Sequence, residues 1–295
     1  MRNSIANYVY EYCKKDENGF VISGDAGFGV WDRLKEELPK QFINTGINEA
    51  AMTGLAAGLA LSNHKVFIYN IIPFVIMRNY EQVRVDICYQ ELPVILLGIG
   101  SGITYAPAGM THYSVEDITL ALTMPNLNIF SPTDPVEGIE CLKYAIKSKN
   151  PSYIRIAKAG DKILHKENID ITKPIFLHKS SSKNIILLHG SIVDEMDKIL
   201  EQIDINIVSI PFINSEFNWD SFLDEYENIF TLEEHFINGG FGSLLRDKTD
   251  KKIYKFGIKN EYIHKIGNRD YLRKYYEIDG ESVVKNIIKI IKSKG

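Results

Sequence analysis

The chain has 295 residues, of which 45% are apolar and 24% charged, and it carries a formal net charge of −4. That length allows a buried core and about two domains, the composition is that of an ordinary globular protein, and the charge gives no basic field for nucleic acid. Cys13, Cys88 and Cys141 are far apart and odd in number, MRNSIANYVYEYCKK has no signal-type apolar core, and runs such as VFIYNIIPFVIM are too short and interrupted to span a bilayer. A cytoplasmic protein with reduced thiols is therefore expected.

Along the first half, short β-type runs alternate with helical patterns. FVIS (20–23), FIN (42–44), VFIYNII (66–72), PVILLGIG (93–100), NLNIF (126–130) and SYIRI (152–156) read as strands buried on both faces. Helical stretches cover residues 47–62, 77–90, 115–123 and 135–147. The alternation predicts a mostly parallel, doubly wound α/β sheet with helices on both faces. Residues 161–183 are polar, hold a Pro and a Ser triplet, and read as an inter-domain connection. A second α/β set follows in NIILLHG (184–190), INIVSI (205–210) and ENIFTLEE (227–234). The expected domains are thus 1–160 and 184–295, the second being smaller. LEEH at 232–235 lacks a spaced set of metal-ligand partners, which favours subunit contact or domain packing. KNIIKIIKSKG reads as a terminal amphipathic helix with a solvated basic face rather than a membrane-surface helix.

Helix 47–62 stands apart. Ala50, Ala51, Gly54, Ala57 and Gly58 leave it small around much of its surface, and each helical Gly costs about 1 kcal/mol relative to Ala. Such a surface suits close approach by another helix or subunit, or tight packing inside this chain. Glu49 lies at its N-terminal mouth, where the helix dipole favours a carboxylate.

Four segments, GINEAAMTGLAAGLAL, YNIIPFVIMRNYEQVRVDICYQELPV, GIGSGITYAPAGMTHYSVEDI and PNLNIFSPTDPVEGIECL, resemble the pyrimidine-binding domain of the transketolase family of thiamine-diphosphate enzymes. TLEEHFINGGFGS and EYIHKIGNRDYLRKYYEIDG resemble the family's C-terminal domain, so the likeness runs in order over nearly the whole chain. The resemblance implies that Glu49 hydrogen-bonds a ring nitrogen of the cofactor's aminopyrimidine and favours its imino tautomer. That chemistry needs an acid that keeps or shares a proton, which a water-poor apolar setting favours. Phe74 is the implied stacking aromatic, although counting back from Gln82 and Val83 puts the usual slot on Val75. Arg78 is implied near the pyrimidine, His112 at the substrate's hydroxyls or the cofactor-bound intermediate, and Arg155 and Lys158 at a sugar phosphate. Ala108 stands where many transketolases carry an Asp, and no histidine is found near Gly100 and Ser101. Both departures bear on which sugar is bound.

The family's diphosphate-binding half is missing. SGDAGFG at 23–29 has Ala26 in place of the second Gly of a metal-site motif, and Asn44 comes too early; Asp25 belongs to a local turn. The resemblance therefore implies a split enzyme. A separate N-terminal-half subunit would hold Mg2+ or Ca2+ and the diphosphate, most simply in an α2β2 assembly that also self-associates through the family interface. Implied is transfer of a two-carbon ketol unit from a ketose, a phosphorylated one in the first place, to an aldehyde. The alternatives are a deoxyxylulose-phosphate-synthase-like subunit, a 2-oxo-acid dehydrogenase beta-type subunit, or a catalytically silent regulatory subunit.

Overall fold

A computed structural model describes residues 1–158, 161–166 and 169–293. The Val/Ile/Leu runs of the first half form a six-stranded parallel sheet: β1 (Gly19–Ser23), β2 (Phe42–Asn44), β3 (Lys65–Ile71), β4 (Ile95–Ile99), β5 (Asn128–Phe130) and β6 (Ser152–Ile156). Their spatial order is β2-β1-β3-β4-β6-β5. Every residue of β4 and β6 is buried, which is why they read as near-continuous apolar runs instead of alternating ones.

The helices of this half are α1 (Arg2–Lys15), α2 (Asp32–Glu37), α3 (Glu49–Leu61), α4 (Tyr80–Gln82), α5 (Asp117–Leu122) and α6 (Pro135–Lys147). Ile5 and Val9 of α1, Leu34 of α2 and Leu142 of α6 cover one face of the sheet. Met52 and Ala56 of α3 and Ile118 of α5 cover the other. Each such side chain contributes roughly 1.5–3 kcal/mol by leaving water.

The predicted helix 77–90 is not a regular α-helix. Pro73–Met77 and Val83–Tyr89 are π-helical, with α4 between them. In the first, Arg78 N–H donates across five residues to Pro73 O at 2.9 Å. A π-turn adds one residue to the helical repeat and rotates everything after it.

The second sheet contains β7 (Ile175–His178), β8 (Asn184–Leu188), β9 (Asn206–Ser209), β10 (Asn228–Phe236) and β11 (Ile253–Ile258) in the order β11-β10-β8-β9-β7. Only β7 runs antiparallel to its neighbour. Around it pack α7 (Met196–Leu200), α8 (Trp219–Leu223), α9 (Phe241–Asp247), α10 (Arg269–Tyr275) and α11 (Gly280–Lys292). Val283, Val284 and Ile287 of α11 are buried in this domain, so the Lys-rich end is a docked amphipathic helix. No helix of the described residues is long and apolar enough to cross a membrane.

β7 corrects the expected connection 161–183, because its four residues are the edge strand of the second sheet. All four are half-buried, leaving no alternation to read. The boundary expected at residue 160, and residues 167–168 within the connection, lie outside the described residues. Cys13, Cys88 and Cys141 are free and buried.

Candidate functional site

Ligands of open parallel sheets gather beyond the carboxyl ends of the strands. Glu49 follows β2, Phe74 and Arg78 follow β3, His112 follows β4, and Lys158 follows β6. One edge of the sheet therefore carries five of the six side chains singled out from sequence.

Glu49 is the first residue of α3, capped by Asn48, whose side chain accepts from Ala51 N at 3.4 Å. Its side chain is only 6% exposed, and its Oε1 accepts from Arg78 Nη1 at 3.0 Å. The first turn is also braced from behind. Thr53 Oγ1 donates to Glu49 O at 2.9 Å, and the buried Asn79 amide donates to Thr53 Oγ1. Arg78 and Glu49 are thus joined both by their side chains and through the Asn79–Thr53 relay.

From Arg78 the contacts continue through aromatic rings. Its guanidinium lies 4.1 Å from the centre of the Phe74 ring. Phe74 meets His112 edge-on at 5.9 Å between ring centres, and His112 meets Tyr105 at 6.0 Å. Lys158 Nζ sits 5.0 Å from the centre of the Tyr105 ring. Glu49, Arg78, Phe74, His112, Tyr105 and Lys158 therefore form one continuous row. The extra residue of the π-turn brings Phe74 into it, half-buried, while Val75 is fully buried in the core. His112 Nδ1 is 2.9 Å from Thr111 Oγ1, which leaves Nε2 as the nitrogen able to meet a bound molecule.

Tyr105 was not singled out from sequence. Nothing in GSGITYAPAGMTH distinguishes it from a core aromatic. Its ring lies over Gly100, where a Cβ would sit 2.2 Å from Tyr105 Cε2, and where φ is +95°. Burial raises the Tyr105 phenol above its usual range, opposed by the charge of Arg2, so it remains a hydrogen-bond donor at neutral pH.

Arg155 requires a correction. It was expected at a phosphate, yet it is 1% exposed. Its Nε and Nη2 grip Asp117 at 2.8 and 3.2 Å, and Nη2 also donates to Ser114 O and Glu234 O at 2.6 and 3.0 Å. Tyr153 donates to the same Asp117 carboxylate at 2.7 Å. With its fork committed inside the protein, Arg155 has no face for a ligand, whereas Lys158 is exposed.

On the outer face of α3, Ala50, Ala51, Gly54, Leu55, Gly58 and Leu61 are exposed, and a Cβ at Gly54 or Gly58 would meet nothing within 4 Å. Ile47, just before the helix, is 76% exposed. Gly54 and Gly58 therefore pack against nothing among the described residues. Among the described residues, no three His, Cys, Asp or Glu side chains converge to hold a metal ion.

Residues 1–160 match the family described as "Transketolase, pyrimidine binding domain". The B subunit of an apulose-4-phosphate transketolase from Actinobacillus succinogenes is 33% identical over 263 residues, covering 84% of each chain. Its namesake from Phocaeicola vulgatus is 27% identical, covering 99% of this chain and 97% of its own. A solved structure described as "Split gene transketolase, inactive beta4 tetramer" shares the fold with a TM-score of 0.83 at 22% identity, covering 98% of this chain and 96% of its own. The chain thus belongs to the transketolase family, as a C-terminal-half subunit of the split kind that carries the pyrimidine-binding domain.

Proposed function

We propose that this subunit forms the pyrimidine side of a thiamine-diphosphate site and takes part in moving a two-carbon ketol unit from a ketose to an aldehyde. The observation that carries the reading is the unbroken row from Glu49 to Lys158 along one sheet edge. The residues present fit an aminopyrimidine: a nearly buried carboxyl at an apolar helix mouth stands beside the half-buried ring of Phe74. When bound, thiamine diphosphate supplies the nucleophilic carbon and the electron sink.

Each side chain then has a defined task. Glu49 holds a proton against the pyrimidine ring nitrogen, in a position that α3 and the Asn79–Thr53 relay fix. Phe74 offers its ring to the pyrimidine face. His112 Nε2 gives or takes a proton at a substrate hydroxyl or carbonyl oxygen. Lys158 supplies a point charge for a substrate phosphate, without the bidentate fork an arginine would add. In the chain alone Arg78 donates to the Glu49 carboxylate; a bound aminopyrimidine would take that place with Glu49 carrying a proton drawn from water.

The bare outer face of α3 is where further subunits close the site. The diphosphate and Mg2+ or Ca2+ come with an N-terminal-half subunit, in an α2β2 assembly. That both apulose-4-phosphate relatives are themselves named as subunits supports a two-subunit organisation.

Mixing the chain with its N-terminal-half partner tests this reading with a donor screen of ketose phosphates against pyruvate and branched 2-oxo acids. Ketose-phosphate turnover that neither subunit shows alone is expected. Pyruvate use with loss of CO2 would move the reading to the synthase-like alternative, and full activity of this chain alone would end the shared-site idea. Glu49→Gln in the mixture should lower kcat by about 10²–10⁴-fold. Near-wild-type turnover would make the subunit catalytically silent.

A further inference from the structure

In the second sheet, β8 leads to β9 on one side and β10 leads to β11 on the other. The crevice beyond β8 and β10 is therefore the topological switch point, where folds of this kind bind ligands. In this chain it is filled by the loop of the first domain that follows β4. Ile103, Ala106, Tyr113 and Val115 lie in the same buried cluster as Phe230 and Leu232 of β10. The loop that carries Tyr105 and His112 is thus rooted in the core of the other domain.

Polar contacts hold both ends of the loop. At its start Gly102 has φ +62°, and a Cβ there would sit 2.4 Å from Glu234 Oε2. The next residue, Ile103, donates its N–H to Glu234 Oε2 at 3.4 Å. At its end Ser114 N–H donates to Gly102 O at 2.9 Å, closing the loop, and Phe236 N–H donates to Val115 O at 2.7 Å. Arg155 stitches Ser114 O to Glu234 O.

Glu234 is the centre of this arrangement. Its Oε1 accepts from Arg269 Nε at 2.9 Å and Arg273 Nε at 2.7 Å, and its Oε2 accepts from Arg269 Nη2 at 3.0 Å as well as from Ile103. Arg273 is itself fixed by Glu195 and by Ser191 O, both at 2.8 Å. Burial would lift the Glu234 carboxyl, but the two guanidiniums outweigh it and hold it at about 2. A buried ion cluster of this kind adds little stability over an apolar filling of the same volume; what it fixes is geometry.

We propose that Glu234 is a positioning residue: from the second domain, it sets where the Tyr105–His112 loop stands over the site. The inference rests on the reading of His112 as the substrate-contacting group, whose displacement by 1 Å would cost about 10²-fold in rate.

The test uses the full chain with Glu234→Gln, which has one acceptor oxygen for the four donors. Amide hydrogen exchange is followed by mass spectrometry on peptides covering 103–113, with peptides of α3 and β8 as internal references. Loop exchange is expected to rise roughly tenfold or more while α3 and β8 stay within about twofold of wild type. Unchanged loop exchange, or a rise in equal step across β8, would overturn the proposal. Should Glu234→Gln not fold, Arg269→Lys removes the fork while keeping the charge at a partly exposed position, and the same two outcomes decide. This arm needs neither partner nor substrate, so it stands even if ketol transfer is the wrong reaction. In the reconstituted enzyme the variant should raise the sugar KM and lower kcat with thiamine-diphosphate affinity unchanged; equal loss of cofactor affinity would indicate general damage and count against positioning.

Discussion

At the carboxyl edge of the first sheet the Arg78 side chain keeps 48% of its surface in water, whereas at the same edge of the second sheet Arg273 keeps 2%. Both edges carry arginines paired to glutamates, and both lie at the end of parallel strands. The first is lined by a row of half-open side chains ending in an exposed lysine. The second is closed by the chain's own loop, with Arg273 buried between Glu195 and Glu234. Sheet topology supplies the crevice; whether it becomes a site depends on whether the protein plugs it. On the readings proposed above, the open edge meets the ligand and the plugged edge holds the open one steady. The energetics differ likewise, since a pair whose cation stands half in water contributes about 1 kcal/mol, while breaking a fully buried one costs about 3–5 kcal/mol.

Two basic residues three positions apart carry the largest expected difference. Arg155→Met should cost about 3–5 kcal/mol of stability, because Asp117 is left buried without its cation. Lys158→Ala should stay within about 0.5 kcal/mol, as exposed substitutions do, and act on the KM of phosphorylated substrates instead. Urea denaturation midpoints check both. An Arg155 variant as stable as wild type would undo its assignment as a structural residue.

The next effect belongs to the plugged edge alone and is read by lowering the pH. An unfolded glutamate titrates near about 4.3. Glu234 is held at about 2, so on acidification the unfolded chain takes up the proton first. Its contribution is whole above about pH 4.3 and is lost as pH falls through about 2, a span of roughly 3 kcal/mol. Denaturation of wild type and Glu234→Gln between about pH 5 and 2 should show their stability difference shrinking by that amount. A constant difference would mean that the two guanidiniums do not hold the carboxylate down.

Much of this was legible in the sequence, for identifiable reasons. The strands of the first sheet are buried on both faces, so their apolar runs stand out, and helix 135–147 was predicted at its observed limits because Asp134, Pro135 and Ser148 punctuate it. The place of Glu49 at the start of an apolar helix was legible, while its proposed role came from the family resemblance. The choice between Phe74 and Val75 was not, since a π-turn has no period that a count by 3.6 detects. The role of Arg155 was misread because a buried arginine and a phosphate-binding one look alike until Asp117, 38 residues away, is seen against it. Glu234 shows the same limit more strongly: its donors lie 35, 39 and 131 residues away. Its meaning is entirely tertiary.

The smallest effect lies on the open edge, and its smallness matters. Arg78 binds Glu49 through one nitrogen, from a side chain nearly half in water. Such a pair competes with solvent for the guanidinium and is screened by salt. Arg78→Gln should therefore cost about 1 kcal/mol or less, with the difference fading at about 0.5 M salt. On the reading proposed above, a pair this weak leaves the Glu49 carboxyl free to take a proton from water and turn to a ligand, which a pair like Arg155–Asp117 would forbid. If thermal denaturation instead gave a loss of several kcal/mol that salt did not reduce, Glu49 would be locked to Arg78 as firmly as the residues of the second sheet are to one another. The carboxyl would then be committed inside the chain, and the open edge would be as closed to a ligand as the plugged one.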